Sequence, residues 1–211
     1  MSNRYWMSLA AIGLVAALAG VYVARTVSQP AVASLESGTS YPAPRPVPAF
    51  NLLDTHGAAA SPATLRGHPT LVFFGFSHCP DVCPTTLAML ASVQKQVALA
   101  DKNLAGLRVA LITVDPERDT PEQLGKYVGS FGGDLIGLTG KAPEIVKATQ
   151  GFGVAAARVE LAGGDYTMDH SAAVFTLDSE ARIVAVFTPP LSAAALTRDL
   201  SRLSPILNPA P

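Results

Sequence analysis

The chain has 211 residues, 49% of them hydrophobic and 15% charged, which is enough apolar matter for one good core but hardly for two. The formal net charge is −1 and no block of Lys or Arg occurs, so nothing draws the protein electrostatically to nucleic acid. Two cysteines cannot supply the multi-bridge framework of a small secreted scaffold, so their use is expected to be local chemistry.

After Arg4, the run YWMSLAAIGLVAALAGVYVA (5–24) carries no charge and has about the length a bilayer core requires, so residues 1–25 read as a transmembrane anchor. The run is longer than the roughly 7–15 residues of a signal-peptide core, although AVAS at 31–34 leaves cleavage open. Arg4 and the terminal amine, set against Arg25, weakly favour an inside N-terminus and place the rest of the chain outside the cytoplasm. With no Arg-rich, Ser-rich transit peptide ahead of it, the expected location is a bacterial inner membrane, single-pass, with the globular part on the periplasmic side. Residues 26–47 lack apolar periodicity and, with Pro48 just beyond, carry alternating prolines (42, 44, 46), which predicts an extended tether. The globular domain is then expected over 48–211.

From Phe50 the pattern changes. TLVFFGF (70–76) and LRVALITV (107–114) read as buried strands, and PTTLAMLASVQKQVALA between them as a helix. A second helix opens at DTPEQLGKYV, with Thr120 as N-cap, Pro121 at the first position and Gln123 completing a capping box. LIGLTG (135–140) is a short third strand. APEIVKATQGF is a helix with Gly151 as its stop. AAVFTLD (172–178) and RIVAVFT (182–188) read as an antiparallel hairpin, and LSAAALTRDLSRL as a closing amphipathic helix. This order predicts a thioredoxin-like mixed sheet flanked by helices, lengthened by an insertion around 141–168.

The two cysteines stand in FGFSHCPDVCPTT, at 79 and 83. A disulfide closing so short a loop would stabilise the fold by only ~2 kcal/mol on the loop-entropy model, a poor reason for the pair. Pro84 is incompatible with a helix interior and biases Cys83 away from helical backbone, so CPDVC is expected to be a turn entering a helix at Pro84. Both sulfurs would then favour thiolate in the field of the helix N-terminus. That much leaves electron transfer and metal binding equally open.

A third residue distinguishes them. Of four histidines, only His170 directly precedes a core strand. If the 172–178 strand runs antiparallel to the 70–76 strand, its beginning lies beside the other strand's end, and His170 faces Cys79 and Cys83. Thioredoxins have a cis-proline in that loop, yet this chain has no proline between Pro143 and Pro189. Two soft thiolates and one imidazole suit Cu(I), which is content with few ligands, whereas zinc usually takes a fourth. Asp81 and Asp169, next to these residues, are candidates to orient or charge-balance them. His78 is expected to point to the other side of the strand. The alternating acids Asp115, Glu117 and Asp119 do not make a calcium loop, because Thr120 stands where Gly is needed and Lys126 where Glu is needed. They read instead as a capped loop on the active face.

At these residues the chain resembles the Sco (SenC) family of membrane-anchored copper chaperones for cytochrome c oxidase. The resemblance is carried by FGFSHCPDVCPTTL, TVDPERDTPEQL and DHSAAVFTLD, with the anchor and tether ahead of them, and covers essentially all of 48–203. It implies a thioredoxin-like fold, Cys79, Cys83 and His170 as copper ligands, and delivery of copper to the binuclear site on the oxidase's second subunit. It also implies a thiol-disulfide activity of debated weight, so a membrane-tethered thiol-disulfide oxidoreductase, working through a reversible Cys79–Cys83 disulfide, stands as the alternative to the chaperone. The Ala/Gly-rich segment 153–165 departs most from the family pattern, which leaves partner contacts there open.

Overall fold

The computed structural model describes residues 34–208 and, within the N-terminal segment, positions 13, 14, 16, 17 and 20. The expected membrane anchor lies mostly outside the described residues, and among those no helix is long and apolar enough to cross a membrane.

Within residues 34–208, ten strands and four α-helices follow in the order β1 (Gly38–Pro46), β2 (Leu52–Asp54), β3 (Ala59–Ala60), β4 (Thr70–Gly75), α1 (Val82–Ala100), β5 (Arg108–Thr113), α2 (Pro121–Gly129), β6 (Leu135–Thr139), α3 (Ala142–Phe152), β7 (Ala156–Glu160), β8 (Tyr166–His170), β9 (Val174–Leu177), β10 (Arg182–Phe187) and α4 (Ala193–Leu207). Eight strands form one sheet in the order β1-β10-β9-β4-β5-β6-β2-β3, and β7 pairs only with β8. The pairs β4–β5 and β5–β6 are parallel, while β9 runs antiparallel to β4. The sheet is mixed, as the element order requires. The apolar runs of β4 and β5 are buried because both faces of the central sheet are covered. In α1, Leu87, Leu90, Val93 and Val97 fall on one buried stripe at helical spacing.

The expected tether is partly wrong. Glu36 and Ser37 donate their backbone N–H groups to the Asp199 carboxylate of α4 at 2.7 and 2.8 Å, and residues 38–46 form an edge strand on β10. An edge strand tolerates prolines because its outward N–H groups have no ladder partner, and Pro42 and Pro44 fall where the register with β10 is interrupted. Burial alone would raise the Asp199 carboxyl, but the donors of Glu36 and Ser37, with Arg202 nearby, hold it below its usual range. The packed domain therefore begins well before residue 48.

Two helix ends also differ in detail. α3 runs through Gly151 to Phe152 and stops at Gly153, whose φ of 73° is the left-handed turn that an L side chain resists. α1 starts at Val82 rather than Pro84, because a proline in the first turn lacks only an N–H that would have no intrahelical partner anyway. The Thr120 cap of α2 is as expected, its hydroxyl accepting from the Gln123 N–H.

Candidate metal centre

β4 delivers the chain to the site and Gly75 makes the approach possible. A Cβ at Gly75 would lie 3.0 Å from the Cys83 sulfur and 3.0 Å from the Phe73 ring, so glycine lets that sulfur sit against the strand without displacing either neighbour. Beyond it the chain turns, with the Cys79 N–H donating to the Phe76 carbonyl, and enters α1. The turn is pinned from behind by Asp119, a fully buried carboxylate that accepts from the Ser77 N–H, the Ser77 hydroxyl and the Thr113 hydroxyl. Asp119 thus belongs to the scaffold of the cysteine turn rather than to a cation loop.

Cys83 lies in the first turn of α1 and is fully buried, whereas Cys79 is half-buried; both are free thiols. The Cys83 N–H points at the Cys79 sulfur from 3.4 Å, so a helix-terminal donor faces that sulfur. The expectation that both thiols favour thiolate does not hold for Cys83. Burial pushes its thiol above the ordinary range, and the neighbouring Cys79 adds to the effect. Desolvation outweighs the helix field here.

His170 reaches the same point from the far side of the sequence. Its Nε2 is 3.5 Å from the Cys83 Sγ, although the two residues are 87 positions apart. Its Nδ1 is 3.2 Å from the Ser171 carbonyl oxygen, which can only accept, so Nδ1 is the donor there and Nε2 is the nitrogen turned to Cys83. Phe73 and Phe76 pack edge-on against the imidazole, each with ring centroids 6.0 Å away. Among the described residues no ready-made cluster of three or more metal-ligating side chains is gathered, and the three groups meet pairwise at Cys83. Their donor chemistry, two sulfurs and an imidazole nitrogen beside an apolar wall, fits a soft monovalent cation.

The two acids proposed as helpers are not in contact with these donors. Asp81 is the exposed N-cap of α1 and its side chain makes no capping bond. Asp169 neighbours His170 in β8, so the alternation of the strand turns it to the opposite, exposed face. His78 is exposed, with its Nδ1 3.0 Å from the Ser77 hydroxyl.

Sequence reasoning missed the hairpin that carries His170 and the group that holds it. The Gly163–Gly164 pair, both at positive φ, was the available turn signal. At the hairpin's far end the Tyr166 ring lies between two guanidinium groups, Arg118 at 3.8 Å and Arg158 at 3.6 Å. Each such contact contributes ~0.5–2 kcal/mol depending on desolvation. The Tyr166 hydroxyl donates to Asp115 at 2.8 Å, and burial with that carboxylate raises the phenol to about 12, so it stays a donor. Asp115 also accepts from Arg118 Nε. A buried Tyr127 hydroxyl without a hydrogen-bond partner lies near the sulfurs, and burial followed by their proximity pushes its pKa up.

The family model described as SCO1/SenC matches residues 39–204. The mitochondrial SCO2 homolog of Bos taurus is 36% identical over 159 residues, covering 72% of this chain and 58% of its own length, so the chain spans little more than half of that relative. Among solved structures, Arabidopsis thaliana ScoI with copper bound aligns with a TM-score of 0.71 at 31% identity, over 74% of this chain and 98% of the other. Bradyrhizobium japonicum ScoI with copper bound aligns with a TM-score of 0.65 at 39% identity, over 74% and 98%.

Proposed function

The chain belongs to the SCO1/SenC family, and from that premise we propose that it is a membrane-anchored metallochaperone that carries copper to the copper-site subunit of cytochrome c oxidase during assembly. The observation that carries the reading is the approach of the His170 Nε2 to the Cys83 sulfur, with the Cys79 sulfur, in the turn ahead of α1, facing the Cys83 N–H. Cu(I) is the substrate, bound by the Cys79 and Cys83 thiolates and the His170 imidazole. Both thiols must lose their protons to bind it, and the cation's positive charge offsets the burial that disfavours the Cys83 thiolate in the dithiol. Relatives solved with copper bound support the choice of metal. Half-exposed Cys79 leaves an edge from which the ion can pass to an acceptor by ligand exchange. The proposed location is the bacterial inner membrane with the domain on the periplasmic side, supported by the uncharged run at 5–24.

A second reading rests on the asymmetry of the pair. An accessible Cys79 beside a buried Cys83 is also what an oxidoreductase needs, the outer sulfur attacking a partner disulfide and the inner one resolving the mixed disulfide. The test is Cu(I) competition against a chromophoric chelator on the reduced full-length chain and its His170→Ala variant. The chaperone reading requires one tightly held ion and a marked loss in the variant; equal affinity in both removes it and leaves the oxidoreductase.

A further inference from the structure

The β7–β8 hairpin shares no ladder with the eight-stranded sheet, and every residue of β7 is exposed. A lone two-stranded hairpin is marginal in water, so the position of His170 at its end must be fixed by side-chain contacts. Along β8 the alternation puts Tyr166, Met168 and His170 on one face, all half-buried, with Met168 packed on the core. Tyr166 and His170 are therefore two ends of one rigid row, roughly 13 Å apart at the rise of a strand.

We propose that Asp115, Arg118 and Tyr166 form a clamp whose role is to position His170 over the cysteine pair, an inference that rests on the copper reading above. The loop after β5 supplies the fixed jaw. Asp115 is 2% exposed and takes the Tyr166 hydroxyl, while Arg118 faces the Tyr166 ring and donates Nη1 to the Tyr166 carbonyl at 3.0 Å. Arg158, from β7, closes the other face of the ring and pairs with Glu117 of the same loop at 3.0 Å. The hairpin is thus held by both strands to one segment, residues 115–118. A second route joins the same arginine to the histidine: the Arg118 guanidinium lies 5.8 Å from the centroid of the Phe76 ring, and Phe76 packs edge-on against His170. Near His170 itself the backbone of the hairpin base is tied by the exchange between Ala155 and Ser171, and the imidazole rests edge-on against Phe73 and Phe76 with no hydrogen bond to either. Releasing the far end lets the row pivot there and withdraw the imidazole, leaving the two sulfurs where α1 holds them. Tyr166 is accordingly a positioning residue, acting on the metal through His170.

The test is a double-mutant cycle on the full-length reduced chain, with Cu(I) affinity read by chelator competition for Tyr166→Ala and Tyr166→Phe, each in the native and in the His170→Ala background. Tyr166→Ala is expected to weaken binding roughly tenfold, in the range of outer ligand-orienting groups, and Tyr166→Phe, which keeps the stack, by less. In the His170→Ala background both effects should vanish. An equal loss in both backgrounds would show a global effect and overturn the clamp, as would a full-strength site in Tyr166→Ala where His170→Ala is weakened. A readout without metal covers the remaining cases: the His170 ring carbon resonance of the metal-free chain should shift or broaden in Tyr166→Ala. An unmoved resonance rejects the clamp, even if no variant changes copper binding and the copper reading itself has failed. Should Tyr166→Ala not fold, Tyr166→Phe carries the same comparison.

Discussion

The cysteines leave a strand whose six residues are all buried, whereas the histidine stands at the end of a hairpin whose outer strand is exposed throughout. One half of the site is fixed by the core: Gly75 admits the Cys83 sulfur, Asp119 pins the turn and α1 packs along its length. The other half is held by a few side chains, among them the stack at Tyr166. Chelating a cargo ion tightly and releasing it call for opposite mechanical properties. On the proposed copper reading, a fixed dithiol with a separately mounted imidazole would provide both.

Breaking the fixed half should have the largest effect. Cys79→Ser and Cys83→Ser should each abolish tight Cu(I) binding, as should quantitative oxidation of the pair, because these are the chain's only two cysteines. Undiminished affinity in either variant, or in the oxidised protein, would overturn the site. Removing the mounted half should cost less: if the imidazole is the proposed third ligand, His170→Ala should weaken Cu(I) by at least the roughly tenfold that losing a ligand-orienting group costs, while the disulfide still forms and is reduced. A disulfide that no longer forms would mean the imidazole is structural to the turn.

Gly75→Ala addresses the fixed half without touching a donor. The added methyl must displace the Cys83 sulfur or the Phe73 ring, an overpacking cost of about 1–3 kcal/mol in a thermal or urea melt. Cu(I) affinity should fall with it, and an unaffected melt would show that the strand can yield.

The pH dependence separates the halves more finely. In the metal-free dithiol the raised Cys83 value means the folded state holds its proton longer than the unfolded chain. That stabilisation is complete below the unfolded thiol's pKa and is lost as pH rises from there toward the folded value, so the dithiol should lose stability above about pH 8.5. Copper affinity should rise with pH over the neutral range because binding expels thiol protons. A dithiol melt flat from pH 8 to 10 would contradict the buried thiol. Smallest of all, Asp81→Asn and Asp169→Asn should change copper affinity by no more than about twofold, since surface changes away from such features alter little. A tenfold loss in either would mean that the carboxylate turns inward on loading.

The amino-acid sequence by itself determined the central strands, the Thr120 cap and the strand-to-helix entry of the cysteines, because each rests on local spacing: continuous apolar runs, a cap three residues before its partner, a proline in a first turn. It also placed His170 opposite the pair through topology alone. Several features were decided only in three dimensions. Residues 38–46 carry every local mark of a spacer and become a strand because β10 offers an edge and Asp199 takes the N–H groups ahead of it. The Cys83 thiol is pushed above its ordinary range because the core closes over it, a matter of burial that a helix-terminus rule does not contain. Asp169, adjacent to His170 in the chain, faces away from it because a strand alternates, while Asp115, distant in sequence, holds the hairpin through Tyr166. Neighbours along the chain are set by covalent order, but the partners of a buried polar group are set by which surfaces exclude water together.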